Sequence, residues 1–180
     1  MVYVILGKGF EEVEAVAPVD ILRRGGVEVK YAGINGMTVE GAHGIEVKAD
    51  MRIEDVSAVE GDVVVVPGGL GGVETIESST EAQRVITSAR AKGCRIAAIC
   101  AGPRVYAGLG LLGERNITCY PGMEAQMTGS VWKGGSVCVD GDLLTGRAPG
   151  SAIDFGLALL EWIAGNEKAG KVRAELVYDR

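Results

Sequence analysis

The chain has 180 residues, 47% of them hydrophobic, enough to bury a full core, and it reads as a single domain over residues 1–180. Its formal net charge of −6 argues against a nucleic-acid partner, because phosphate backbones demand a basic face. No apolar run approaches the roughly 18–20 residues that span a bilayer. The opening "MVYVILGKGFEEVEAV" lacks the basic start, long apolar stretch and cleavage site of a signal peptide, so a cytoplasmic protein with no membrane contact is expected.

Short β-rich runs alternate with helical patterns, the signature of a mostly parallel α/β sheet with helices on both faces. "VYVILG" is the first strand. In "EEVEAVAPVDILRR", Val13, Val16, Val19, Ile21 and Leu22 recur at helical spacing, and Gly25-Gly26 ends the helix. "VEVKYAGI" is a second strand, and "TVEGAHGIEVKAD" reads as a hairpin or a pair of short strands. "DVVVVPGG" is apolar on both faces and belongs at the centre of the sheet. A helix runs from about Ser79 to Lys92 and stops at Gly93. "RIAAIC" is a further buried strand, and the chain is helical again from Ala101. "SVCVDGDLLTG" reads as a hairpin on Asp140-Gly141. In "SAIDFGLALLEWIAG", Ile153, Leu157, Leu160 and Trp162 face the sheet from a last helix.

The stretch "RIAAICAGPRVYAGLGLLG" offers two chemistries. Its glycines, Gly108, Gly110 and Gly113, have the spacing of a dinucleotide loop. That loop must follow a strand directly and open a helix, whereas Gly108 lies eight residues beyond the strand end. These glycines are expected to let a helix pack closely and then stop. Cys100 stands at a strand's carboxyl end, where the ligands of parallel sheets gather, with Pro103 placed to open a helix. Strand, sharp turn, helix is the geometry of a nucleophile elbow, and the positive helix end is expected to lower the thiol's pKa. Read locally, Cys100 is either such a nucleophile or a plain buried thiol. Cys94, Cys119 and Cys138 lack this context, and without a C-x-x-C pair the four cysteines read as free thiols, not as metal or redox motifs.

His43 is the only histidine, which excludes a downstream Cys–His–Glu triad, and Ala101 excludes a protease with histidine next to its cysteine. Acid–base work falls to a carboxyl group or water. Glu11, Glu12 and Glu14 open the helix after the first strand, at the same sheet edge as Cys100. Carboxylates at a helix N-terminus are favoured by the dipole whatever their role. Glu14, one turn in and beside Val13 and Ala17, is the candidate for a raised pKa and proton exchange with Cys100. Backbone N–H groups of Pro67–Gly69 and of Ala101 are available to an oxyanion.

Together "KGFEEVEAVAPVDILRRGG", "DVVVVPGG", "AAICAGP" and "TGRAPGSAIDFGLALLE" resemble the ThiJ/PfpI superfamily, in the branch of the parkinsonism-associated protein and its bacterial relatives. The match covers essentially the whole chain. The resemblance implies a flavodoxin-like, doubly wound α/β sandwich that forms a homodimer. It implies an oxidisable cysteine on the elbow at Cys100, a protonated glutamate partner at Glu14, and backbone donors at Gly69 and Ala101. It also implies cofactor-free, metal-free conversion of glyoxal, methylglyoxal or early glycation adducts, or a redox-sensing chaperone whose cysteine becomes a sulfinate. The chain departs from the family pattern twice. Tyr120 stands where a histidine is frequent, and His43 aligns near an arginine that crosses the dimer to the cysteine. Arg24 matches a second family arginine, and Arg24, His43 and Tyr120 are the expected contacts to substrate or oxidised cysteine.

Overall fold

In the computed structural model, which describes residues 1–179, the β-branched runs form strands and the glycines punctuate them. The chain runs β1 (Val2–Leu6), α1 (Glu12–Arg24), β2 (Val29–Gly33), a hairpin β3 (Thr38–Glu40) and β4 (Glu46–Lys48), then β5 (Met51–Arg52). It continues through β6 (Val63–Val66), α2 (Leu70–Ser78), α3 (Thr80–Ala91), β7 (Arg95–Ile99) and α4 (Pro103–Gly108). Two short strands, β8 (Asn116–Ile117) and β9 (Val131–Trp132), precede the hairpin β10 (Val137–Asp140) and β11 (Leu143–Gly146). Helices α5 (Ala152–Ala164) and α6 (Asn166–Glu175) follow.

Seven strands form one sheet in the order β10-β11-β7-β6-β1-β2-β5, with every neighbouring pair parallel except β10 with β11. Helices α1, α5 and α6 pack on one another in one layer, and α2 packs on α3 and α4 in another. This is the flavodoxin-like doubly wound sandwich. The four valines of β6 are all buried, as a strand covered on both faces requires. The chain proceeds outward from β1 to β2, then returns to lay β6 on the other side of β1. That reversal is a topological switch point, and it opens a crevice at the carboxyl ends of β1 and β6. No helix among the described residues is long and apolar enough to cross a membrane.

Several local expectations need correcting. Val13 and Val16 point outward, 43% and 44% exposed, because Glu14, Ala15, Pro18, Val19, Ile21 and Leu22 take the inner face of α1. Ile153 is likewise exposed; Phe155, Leu157, Leu159 and Leu160 form the buried side of α5. Trp162 is half-buried, with the Arg95 guanidinium 4.4 Å from its ring centre. Helix α2, absent from the sequence reading, starts directly at the end of Pro67-Gly68-Gly69 despite two glycines in its first turn. Gly108 ends α4, and Gly110 and Gly113 turn the chain with φ of 69° and 59°. A Cβ on any of the three would meet nothing within 4 Å, so they form an exit but not a close packing contact. The loop of the β10–β11 hairpin is Gly141-Asp142, one residue later than expected.

Candidate active site

Cys100 has φ +63°, a left-handed conformation that a non-glycine residue holds only when its surroundings enforce it. The Cys100 N–H donates to Gly146 O at 2.9 Å, and its C=O accepts from Tyr120 N–H at 3.0 Å. Gly102 completes the turn: a Cβ there would run into Val66 O and lie 2.9 Å from Ile99 O. Pro103 then occupies the first turn of α4, as its fixed φ suits. The chain therefore makes a nucleophile elbow with the Cys100 side chain at the switch-point crevice, 8% exposed.

Glu14 reaches the same point from α1. Its side chain is 1% exposed, and Oε2 accepts the Gly68 N–H at 2.9 Å. Oε1 is buried without a hydrogen-bond partner, and the Cys100 thiol lies beside the carboxyl group. Gly68 is wedged between the two. A Cβ on it would lie 2.5 Å from Glu14 Oε2, 2.7 Å from Cys100 Cβ and 3.0 Å from Cys100 Sγ. Gly69, at φ +84°, turns the chain into α2, and its N–H and that of Ala101 favour the ionised form of the Cys100 sulfur.

Burial pushes the Glu14 carboxyl up from 4.5 to about 7, against the pull of the Cys100 and Gly68 hydrogen bonds. Burial also raises the Cys100 thiol, and the negative charge of Glu14 raises it further, while the Ala101 and Gly69 N–H groups oppose this. The expected lowering of the thiol by the α4 dipole is thus outweighed; α4 has only six residues, and two acids facing each other in a dry site cannot both ionise. A thiolate can form here only once Glu14 holds the proton.

Above the pair lies a cleft of about 530 Å³ whose walls include Leu70, Tyr120, Met123, Gln126, Pro149 and Glu11. Tyr120 is 46% exposed and lines it as expected. His43 does not line it. Its Nδ1 is 2.8 Å from Glu12 Oε2, and its backbone N–H donates to Glu12 Oε1 at 2.6 Å. That hydrogen bond, and then the charges of Glu11 and Glu12, raise the imidazole above its ordinary pKa. Arg24 is also removed from the site: it ends α1, ten residues or about 15 Å beyond Glu14, and its Nε donates to Asp20. Within this chain neither residue reaches Cys100. Glu11, Glu12 and His43 bring three potential metal-ligating atoms within 4.8 Å of one another. Glu12 and His43 already satisfy each other, and the positive end of α1 disfavours a cation there.

The sequence reading missed Glu11 as a lining group, the apolar wall of Met123 and Pro149, and the spacer role of Gly68. Only Gly68 left a signal, in the doubled glycine after proline.

These features define a doubly wound α/β protein with a buried cysteine–glutamate pair at its switch point. The chain belongs to the DJ-1/PfpI family, whose model matches residues 1–162. It is 38% identical over 177 residues to Protein dj-1beta of Drosophila melanogaster, covering 97% of this chain and 95% of that one. It is 32% identical over 164 residues to the glutathione-independent glyoxalase DJR-1.2 of Caenorhabditis elegans, covering 90% and 87%. Among solved structures, Toxoplasma gondii DJ-1 in an oxidized form superposes with a TM-score of 0.92 at 35% identity, covering 99% of this chain and 98% of that one.

Proposed function

We propose that the protein is a cytoplasmic, cysteine-dependent glyoxalase or deglycase acting on methylglyoxal, glyoxal or early glycation adducts. The observation that carries this reading is the meeting of Glu14 and Cys100 across Gly68 at the foot of the cleft. The glyoxalase name of the nematode relative supports it.

Glu14 takes the thiol proton, and the Cys100 sulfur bonds to the aldehyde carbon of methylglyoxal. The Gly69 and Ala101 N–H groups hold the new oxyanion. Glu14 returns its proton to that oxygen, then removes the C1 proton and delivers it to C2, while the hydroxyl proton passes from the C1 oxygen to the C2 oxygen; this turns the hemithioacetal into a lactoyl thioester. Water cleaves the thioester, releasing lactate and restoring the thiol. A carboxyl with a pKa near 7 suits this shuttle, because it accepts and donates protons with comparable ease at neutral pH. Tyr120 orients the substrate carbonyl. The sequence of steps requires neither a metal nor an organic cofactor. The homodimer forms through the outer face of α1, where Val13 and Val16 stand exposed, and sedimentation velocity tests this.

A methylglyoxal-to-lactate assay decides the reading: Cys100→Ser should abolish turnover. Wild-type rates in that variant refute the mechanism. Redox sensing is the second reading, favoured by the oxidisable thiol held by two N–H groups and by the oxidized Toxoplasma relative. Mild peroxide that adds two oxygens selectively at Cys100, with altered stability, supports it; slow, unselective oxidation counts against it.

A further inference from the structure

The cleft over Cys100 is uneven in charge. Leu70, Met123 and Pro149 make its walls apolar, and among the described residues lining it Glu11 alone carries a formal charge; no Lys, Arg or His does. Glu11 is held in place by its backbone, whose N–H donates to Gly68 O at 2.9 Å and so ties the start of α1 to the elbow. Its side chain is 19% exposed and makes no capping bond to α1. The nearest potential cation, the His43 ring, lies 3.8 Å away from it but is committed to Glu12 at 2.8 Å.

We infer that Glu11 is a specificity-determining residue that selects the cleft's occupants by charge. It admits uncharged and cationic carbonyl compounds, disfavours carbonyl compounds that carry a carboxylate, and hastens departure of an acid product. The inference rests on the proposed reading of Cys100 as the nucleophile. A dicarbonyl such as methylglyoxal enters without charge and feels little of Glu11, whereas its hydration product leaves as a carboxylate. Two unit charges roughly 6 Å apart at an effective dielectric constant of about 40 alter an equilibrium or rate about tenfold.

The primary test does not depend on turnover. Cys100 is modified with matched thiosulfonates, 2-(trimethylammonio)ethyl and 2-sulfonatoethyl methanethiosulfonate. In each case the thiolate attacks the sulfenyl sulfur, a mixed disulfide forms and methanesulfinate leaves. Rates are assigned to Cys100 by peptide mass mapping and divided by those of a small thiol in solution. Wild type should prefer the cationic reagent about tenfold, and Glu11→Gln should bring the preference within about twofold of unity. Glu11→Ser, a good helix cap, repeats the loss of charge if the glutamine variant folds poorly. No preference in wild type, or a full preference surviving in the uncharged variant, overturns the proposal.

A second arm compares kcat/KM for methylglyoxal and for 4,5-dioxopentanoate, a ketoaldehyde that carries a carboxylate, together with inhibition by lactate. Glu11→Gln should raise the relative use of 4,5-dioxopentanoate about tenfold and tighten lactate binding by a similar factor. An unchanged ratio overturns the proposal. Wild type that shows the reagent preference but converts no methylglyoxal overturns the glyoxalase reading and leaves selection by charge standing.

Discussion

Glu14→Gln isolates the energetic consequence of burying an acid beside Cys100. A glutamine oxygen still accepts the Gly68 N–H, and its NH2 group takes the place of the carboxyl proton. The variant is therefore a fixed copy of the neutral state. In the wild type the carboxyl titrates near 4.5 when unfolded and near 7 when folded. The native state thus holds the proton more tightly, and stability falls as pH rises through this window. At about 1.36 kcal/mol per pH unit the full loss is about 3 kcal/mol, of which about 2.5 kcal/mol falls between pH 5 and 8. For a chain of this size that is a Tm difference of roughly 5–10 °C. The two proteins are melted side by side across pH 5–8, and their difference cancels groups common to both, including His43. The gap should open in favour of Glu14→Gln with rising pH, while methylglyoxal conversion is nearly lost. A difference that stays flat across this range refutes the raised pKa, and with it the proton-shuttle argument.

Gly68→Ala drives a methyl group between Glu14 and Cys100, where the gaps are 2.5–3.0 Å; conversion should drop about 100-fold, with about 1–3 kcal/mol lost in urea unfolding. Tyr106→Phe removes a fully buried hydroxyl lying 2.9 Å from Val64 O and 3.1 Å from Ala97 O, and should lower urea-unfolding stability by about 1–2 kcal/mol with turnover retained. Gly108→Ala should gain about 0.5–1 kcal/mol in thermal unfolding, since its Cβ enters open space at the end of α4, whereas Gly110→Ala at φ +69° should lose stability.

The parallel sheet and the elbow were legible because their signals are local: four valines before Pro-Gly-Gly, and an apolar strand ending in Cys-Ala-Gly-Pro. The hairpins announced themselves by alternation and by glycine. What stayed hidden depends on contacts between distant segments. Helical spacing put Val13 and Val16 on the same footing as Val19, and only the docking of α5 and the inward turn of Glu14 decide which face is buried. The direction of the thiol's pKa was misjudged for the same reason, because the helix dipole is read from neighbours in sequence, whereas burial and Glu14 come from the fold. The resemblance made His43 and Arg24 expected contacts of the site, whereas within this chain they pair with Glu12 and Asp20.

The choice of a carboxyl partner follows from these placements. An imidazole beside Cys100 would stabilise a permanent thiolate as an ion pair, whereas a buried carboxyl opposes the thiolate unless it first takes the proton. In the proposed reaction the pair shares one proton, which stays on the thiol, with Glu14 ionised, until a carbonyl arrives. In that scheme, proton transfer to Glu14 and carbon–sulfur bond formation would relieve each other's electrostatic penalty. Burial that weakens the fold by about 3 kcal/mol above neutral pH is the same burial that brings Glu14 to a working pKa of about 7. Gly68 makes it possible: only a residue without a side chain lets the carboxyl meet the sulfur while giving it a backbone N–H to lean on. On the proposed reading the reactivity of Cys100 rests on what surrounds it, so a substitution such as Glu14→Gln that relieves the buried charge should stabilise the protein and silence it together.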